Sequence, residues 1–182
     1  MRGVAIPARP LLAAALALGV LAGCASAAPS PQKSAAGDDT PTLPAVATPP
    51  GSPRAQARQA YLGMWQEYVA ASRTADYQDP ALDRYAAGSA LSVLTHGLYQ
   101  EHQEGIVTRG QPTFDPAVTI VKGSPAQAGV TDCADSSRWL DYKAGKPVSG
   151  QPSGRRSITA DLELFGATWK VTYLNVGREG TC

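Results

Sequence analysis

At Gly105 the apolar residues of this chain change period, and that change limits the available folds more than any other feature of the sequence. Before it they recur at spacings of three and four. Ala57, Tyr61, Met64, Trp65, Tyr68, Ser72 and Ala75 share one face of a helix expected over residues 54–75, with Gln56, Gln59, Gln66, Glu67 and Arg73 mostly opposite. Asp79-Pro80 reads as an N-cap with proline at the first helical position, so a short helix is expected from Pro80 to Ala87, stopping at Gly88. A third helix from Ser89 carries Ala90, Leu91, Leu94 and Leu98 on its apolar side and ends near His102. After Gly105 the pattern alternates, which predicts strands over 105–110, 113–121, 127–133, 138–143, 156–165 and 168–176. Pro116 places the second at a sheet edge or a bulge. In the fifth, Ile158, Ala160, Leu162 and Leu164 alternate with Thr159, Asp161 and Glu163; in the sixth, Trp169, Val171 and Tyr173 share a face. Helices first and half-buried antiparallel strands after make an α+β fold, with N-terminal helices packed on an antiparallel sheet.

The helices start only after a long, differently composed leader. Met1-Arg2-Gly3 and Arg9 precede an apolar run from Leu11 to Leu21, as in a secretory signal. The run is shorter than the about 20 apolar residues that cross a bilayer. It closes on Leu21-Ala22-Gly23-Cys24, which resembles the lipobox of bacterial lipoproteins. The resemblance implies cleavage before Cys24 and a diacylglycerol on its sulfur, with residues 1–23 removed and the protein anchored to the outer face of a cell membrane. The competing reading is a secreted protein cut after Ser26-Ala27-Ala28. Residues 24–53 are rich in Ala, Pro, Ser and Thr and contain no aromatic residue, so they cannot bury enough apolar surface to offset the entropy of ordering. Such a tether spans about 30 Å as a relaxed coil and about 90 Å drawn out. Residues 54–182, about 130 in number, suffice for one domain with a core.

With Cys24 lipidated, Cys133 and Cys182 remain in an exported domain, where an even pair favours a disulfide. Asp132 and Asp135 oppose a thiolate at Cys133, and too few Cys or His lie nearby for zinc. Chemistry is otherwise sparse. His96 and His102 are six apart on one helix, which turns their rings away from each other, so no metal site is expected there. Glu101 and Glu104 beside His102 read as a solvated helix end, and Asp132, Asp135 and Asp141 as turn-capping carboxylates, their spacing failing the calcium-loop pattern. Asp161 and Glu163 become candidates only if their face is concave. No G-x-S-x-G, P-loop or H-E-x-x-H occurs. No cofactor is implied. With 16 Lys and Arg against 15 Asp and Glu, scattered rather than clustered, a nucleic-acid partner is not expected.

The first helix running into "TADYQDPALDRYAAG", with the closing hairpin "ADLELFGATWKVTYL", resembles the nuclear-transport-factor-2-like superfamily. That resemblance implies a strongly curved sheet wrapped against the helices as a cone with a pocket. The lipobox, the Pro-rich tether and Asp132-Cys133 with terminal Cys182 are similar to secreted lipoproteins of high-GC Gram-positive bacteria. Tyr61, Trp65 and Tyr68 are then either core packing or the wall of a pocket. Two functions follow: a non-catalytic envelope module binding a protein or a small apolar ligand, or a pocket enzyme of the isomerase, dehydratase or hydrolase kind.

Overall fold

A computed structural model describes residues 51–121, 123–151 and 154–182. The signal segment, Cys24 and almost all of the expected tether lie outside the described residues.

Helix α1, Pro53–Ser72, begins where Ser52 accepts a hydrogen bond from the Ala55 amide at 3.3 Å and Pro53 supplies a pre-set first turn. Asp79 caps the next element by accepting from the Ala81 amide at 2.9 Å. That element is a single 3-10 turn, Pro80–Asp83, and not the helix to Ala87 expected from the sequence. The reason is tertiary: the Val171 amide donates to Tyr85 O and the Ala87 amide to Val171 O, both at 2.8 Å, so this backbone is paired with a strand. Helix α2, Gly88–Glu104, ends at Gly105, whose φ of 66° makes the left-handed cap that glycine adopts without strain.

Seven antiparallel strands follow: β1 Ile106–Gly110, β2 Ala117–Val121, β3 Gln127–Asp135, β4 Trp139–Lys143, β5 Lys146–Pro147, β6 Arg155–Phe165 and β7 Thr168–Val176. They form two sheets, of order β1-β4-β5 and β2-β3-β6-β7. Two helices packed on these sheets make the α+β class expected. Pro116 does what its ring requires. Strand β2 is an edge and starts after it, while Thr113 pairs with Asp135 as an isolated bridge.

The core lies between the helices and the inner face of the four-stranded sheet. Tyr61, Met64, Leu94 and Leu98 meet Val130, Ile158, Leu162, Trp169 and Val171, all buried. One register shift modifies the expected pattern. Asp161 faces Tyr173 but Leu162 faces Val171, which leaves Thr172 as an extra residue in β7. Trp169 and Val171 point inward as expected; beyond the bulge Leu174 takes the inward place and Tyr173 is 49% exposed. Asp161 falls on the outer face.

Candidate functional site

A cavity of about 280 Å³ opens between α1, the end of α2 and both sheets. Helix periodicity carries Trp65 and Tyr68 to it from α1, and Glu101 from the last turn of α2. Thr108 comes from β1, Trp139 and Asp141 from β4, Arg156 and Ile158 from β6, and Phe114 from the segment before β2. Its walls are aromatic. Trp65 stacks on Phe114 with centroids 5.1 Å apart and planes at 23°, and meets Tyr68 edge-on at 5.9 Å; Tyr68 in turn meets Trp139 at 5.8 Å. Edge and offset contacts of this kind suit ring quadrupoles and hold the walls in place.

Most polar groups around the cavity are committed elsewhere. Trp139 Nε1 donates to Thr108 Oγ1 at 3.0 Å, Thr108 Oγ1 donates to Ser72 Oγ, and Ser72 Oγ donates to Val69 O. Gln151 braces β4 from both ends of its amide. It accepts from the Asp141 amide and donates to Asp141 O at 3.2 Å and Val148 O at 2.9 Å. Ser136 Oγ donates to Gly154 O at 2.9 Å.

Three lining residues each carry an uncommitted polar atom. Glu101 Oε2, Arg156 Nε and Trp65 Nε1 are buried and have no hydrogen-bond partner among the described residues. A buried polar atom left unmade costs about 1–3 kcal/mol, and two of these atoms belong to the charged side chains of one cavity, Glu101 and Arg156. Trp65 Nε1 lies close enough to the Tyr61 hydroxyl to ease its ionisation slightly, but not in hydrogen-bonding geometry.

The electrostatics are those of a partly dry acidic corner. Burial and then the Asp141 charge raise the Glu101 carboxyl to about 7. Burial and then the Glu104 charge raise Asp141. Tyr68 is held protonated, first by burial and then by Glu101 and Asp141. The ion pairs among the described residues, Arg58–Asp115 and Arg84–Glu67, lie elsewhere and leave both cavity carboxylates without a counter-ion there.

Of the aromatic trio singled out from sequence, Trp65 and Tyr68 line the cavity. Tyr61 does not. It is 0% exposed behind that wall and donates from its hydroxyl to Asp132 Oδ2 at 3.0 Å. Asp132, expected to cap a turn, is instead 7% exposed and also accepts the Asp115 amide at 2.9 Å. Glu101, expected at a solvated helix end, and Asp141, expected to cap a turn, line the cavity instead, and Arg156 joins them without having been singled out from the sequence. Cys133 and Cys182 form a disulfide, Cα to Cα 5.9 Å, away from the cavity. His96 and His102 are exposed, and His102 packs edge-on against Tyr77. Among the described residues no group of three or more His, Cys, Asp or Glu could hold a metal ion.

No protein-family model matches the chain, and no curated protein matches it. Among solved structures it is similar to the intermembrane space region of the chloroplast protein ARC6. That likeness has 15% identity and a TM-score of 0.47, covering 71% of this chain and 100% of that one. It is also similar to Aln2 from a Streptomyces species, at 12% identity and a TM-score of 0.44, covering 70% of this chain and 93% of that one. Both are α+β folds with a sheet, and the likeness goes no further than that coarse arrangement.

Proposed function

We propose that this chain is a tethered, non-catalytic binding module at the outer face of a bacterial cell membrane, anchored through lipid on Cys24, with a small ligand seated in the cavity beside Trp65. The observation that carries the binding role is the set of buried, unpartnered polar atoms inside aromatic walls. Pockets that take small molecules combine apolar walls with a few convergent polar groups in this way. The ligand is therefore amphiphilic and not simply apolar. The anchoring role rests on the Leu21-Ala22-Gly23-Cys24 resemblance and the Pro-rich segment that follows it. The finer fold reading, a nuclear-transport-factor-2-like cone, is supported by the order of elements and by a cavity between helices and strands.

One observation favours a pocket enzyme as the second reading: a carboxyl titrating near neutrality beside a tyrosine suits proton transfer. A fragment screen read by the fluorescence of Trp65 and Trp139 tests the binding role. Saturable quenching that is lost in A134L, which fills the cavity from β3, is the expected result, and recovery of each bound fragment unchanged separates binding from turnover. A screen in which nothing quenches saturably would count against the cavity as a site.

A further inference from the structure

On the reading that the cavity binds a small ligand, we infer that this ligand is an organic cation. Its ammonium group sits between the carboxylates of Glu101 and Asp141 and against the rings of Tyr68 and Trp139, and an oxygen acceptor on the same molecule reaches Arg156.

Charge comes first. The ionisable groups on the cavity wall are Tyr68 from α1, Glu101 from α2, Asp141 from β4 and Arg156 from β6, and Glu104 adds its charge from the exposed end of α2. With both lining carboxylates ionised and the guanidinium charged, the lining keeps a net negative charge. Among the described residues, neither carboxylate is met by a Lys or Arg side chain. A single positive charge on the ligand supplies the missing counter-ion.

Geometry comes second. Glu101 Oε2 is an acceptor cut off from water and from every donor among the described residues, so the occupant must bring positive charge or a donor to it. Tyr68 and Trp139 meet edge to face at 5.8 Å, and both line the cavity with Glu101 and Asp141. Aromatic faces beside carboxylates are the surroundings in which an alkylated ammonium is held by ring quadrupoles as well as by charge. Arg156, with an unused Nε–H, is a donor that cannot serve an ammonium. It calls for an oxygen on the same ligand. A cavity of about 280 Å³ is small, so the cation and the oxygen belong to a compact molecule of the amino-alcohol kind.

The test titrates the full chain with choline chloride and with 3,3-dimethylbutan-1-ol, its uncharged isostere, at pH 8 and pH 6. Choline should quench the tryptophans saturably, with the isostere at least about tenfold weaker. Because Glu101 titrates at about 7, choline affinity should fall up to about tenfold from pH 8 to pH 6. E101Q should remove most of that pH dependence, and D141N should weaken choline at both pH values while its circular dichroism stays that of the parent. Equal affinity for choline and its isostere overturns the cation and leaves the binding cavity standing. Preferential quenching by acetate overturns it in favour of an anion on Arg156. No response to choline while neutral fragments still bind overturns it as well, and the fragment screen decides the cavity separately.

Discussion

The Tyr61 hydroxyl donates to Oδ2 of Asp132 across 3.0 Å and so joins the middle of α1 to the inner face of β3. Both groups are buried, and the other Asp132 oxygen accepts the Asp115 amide, so the carboxylate fixes three segments at once. Burial, then the Asp132 charge, holds the Tyr61 phenol protonated and keeps it a donor.

Removing either partner should therefore destabilise the domain beyond the loss of one bond. Y61F should cost about 1–2 kcal/mol, and D132A, which strands both the hydroxyl and the Asp115 amide, about 2–4 kcal/mol. Urea unfolding of both single mutants and the double mutant checks this. A coupling energy near zero would mean the pair is not made.

Glu101 makes the fold sensitive to pH in the direction opposite to an ion-paired acid. Its folded value of about 7 lies above its ordinary 4.5, so the protonated form is favoured in the fold. The stability it contributes is complete below about pH 4.5 and is lost as pH rises through about 7. E101Q should thus be more stable than the parent at pH 8 by on the order of 1 kcal/mol, a figure reduced for the group's partial exposure, with little difference at pH 5. Melting curves at the two pH values measure it.

The Cys133–Cys182 bridge closes a loop of separation 49. Loop-closure entropy puts its contribution at up to about 4 kcal/mol, and the C133S/C182S pair should lose about 2–4 kcal/mol in urea. Thiol titration of the unfolded, unreduced chain tests the bridge, since recovery of two thiols from Cys133 and Cys182 would contradict it. The mass of the mature N-terminus tests the anchor: a lipidated Cys24 is the expected result, and an unmodified end at or after Ala25 would overturn it.

Gly110 closes β1 opposite Trp139 with φ at 84°. A Cβ there would lie 1.9 Å from the Arg138 carbonyl oxygen, so G110A must push β4 away. The expected loss is roughly 3 kcal/mol. Because β4 carries Trp139 and Asp141, small-molecule quenching should weaken even where the variant still folds.

The sequence carried more of this fold than of its site. The change of period at Gly105 marks the helix–strand boundary, since burial enforces period and both faces are built from it. The short helix and the Tyr173 face failed for one reason. Residues 85–87 are claimed by β7, and the extra Thr172 in that strand flips everything beyond it, and neither event leaves a local trace. Cavity residues were legible by phase but not by type. Glu101 continues the Leu94–Leu98 stripe, and Arg156 alternates with Ile158. A charge in phase with a buried stripe signals a site; reading those charges as solvated by default hid it.

The backbone pairing at Val171 bears on how copies of this domain would behave when crowded. Tyr85 and Ala87 occupy both hydrogen-bonding groups of Val171, and Ser89 Oγ donates to the Thr172 carbonyl at 2.9 Å. These contacts block the outer rung of the sheet, where another chain would otherwise dock as an added strand. At the opposite margin β2 is short and preceded by Pro116. On this four-stranded sheet, then, one margin is covered at Val171 and Thr172 and the other is only five residues long, which leaves a neighbouring chain little length to pair with there.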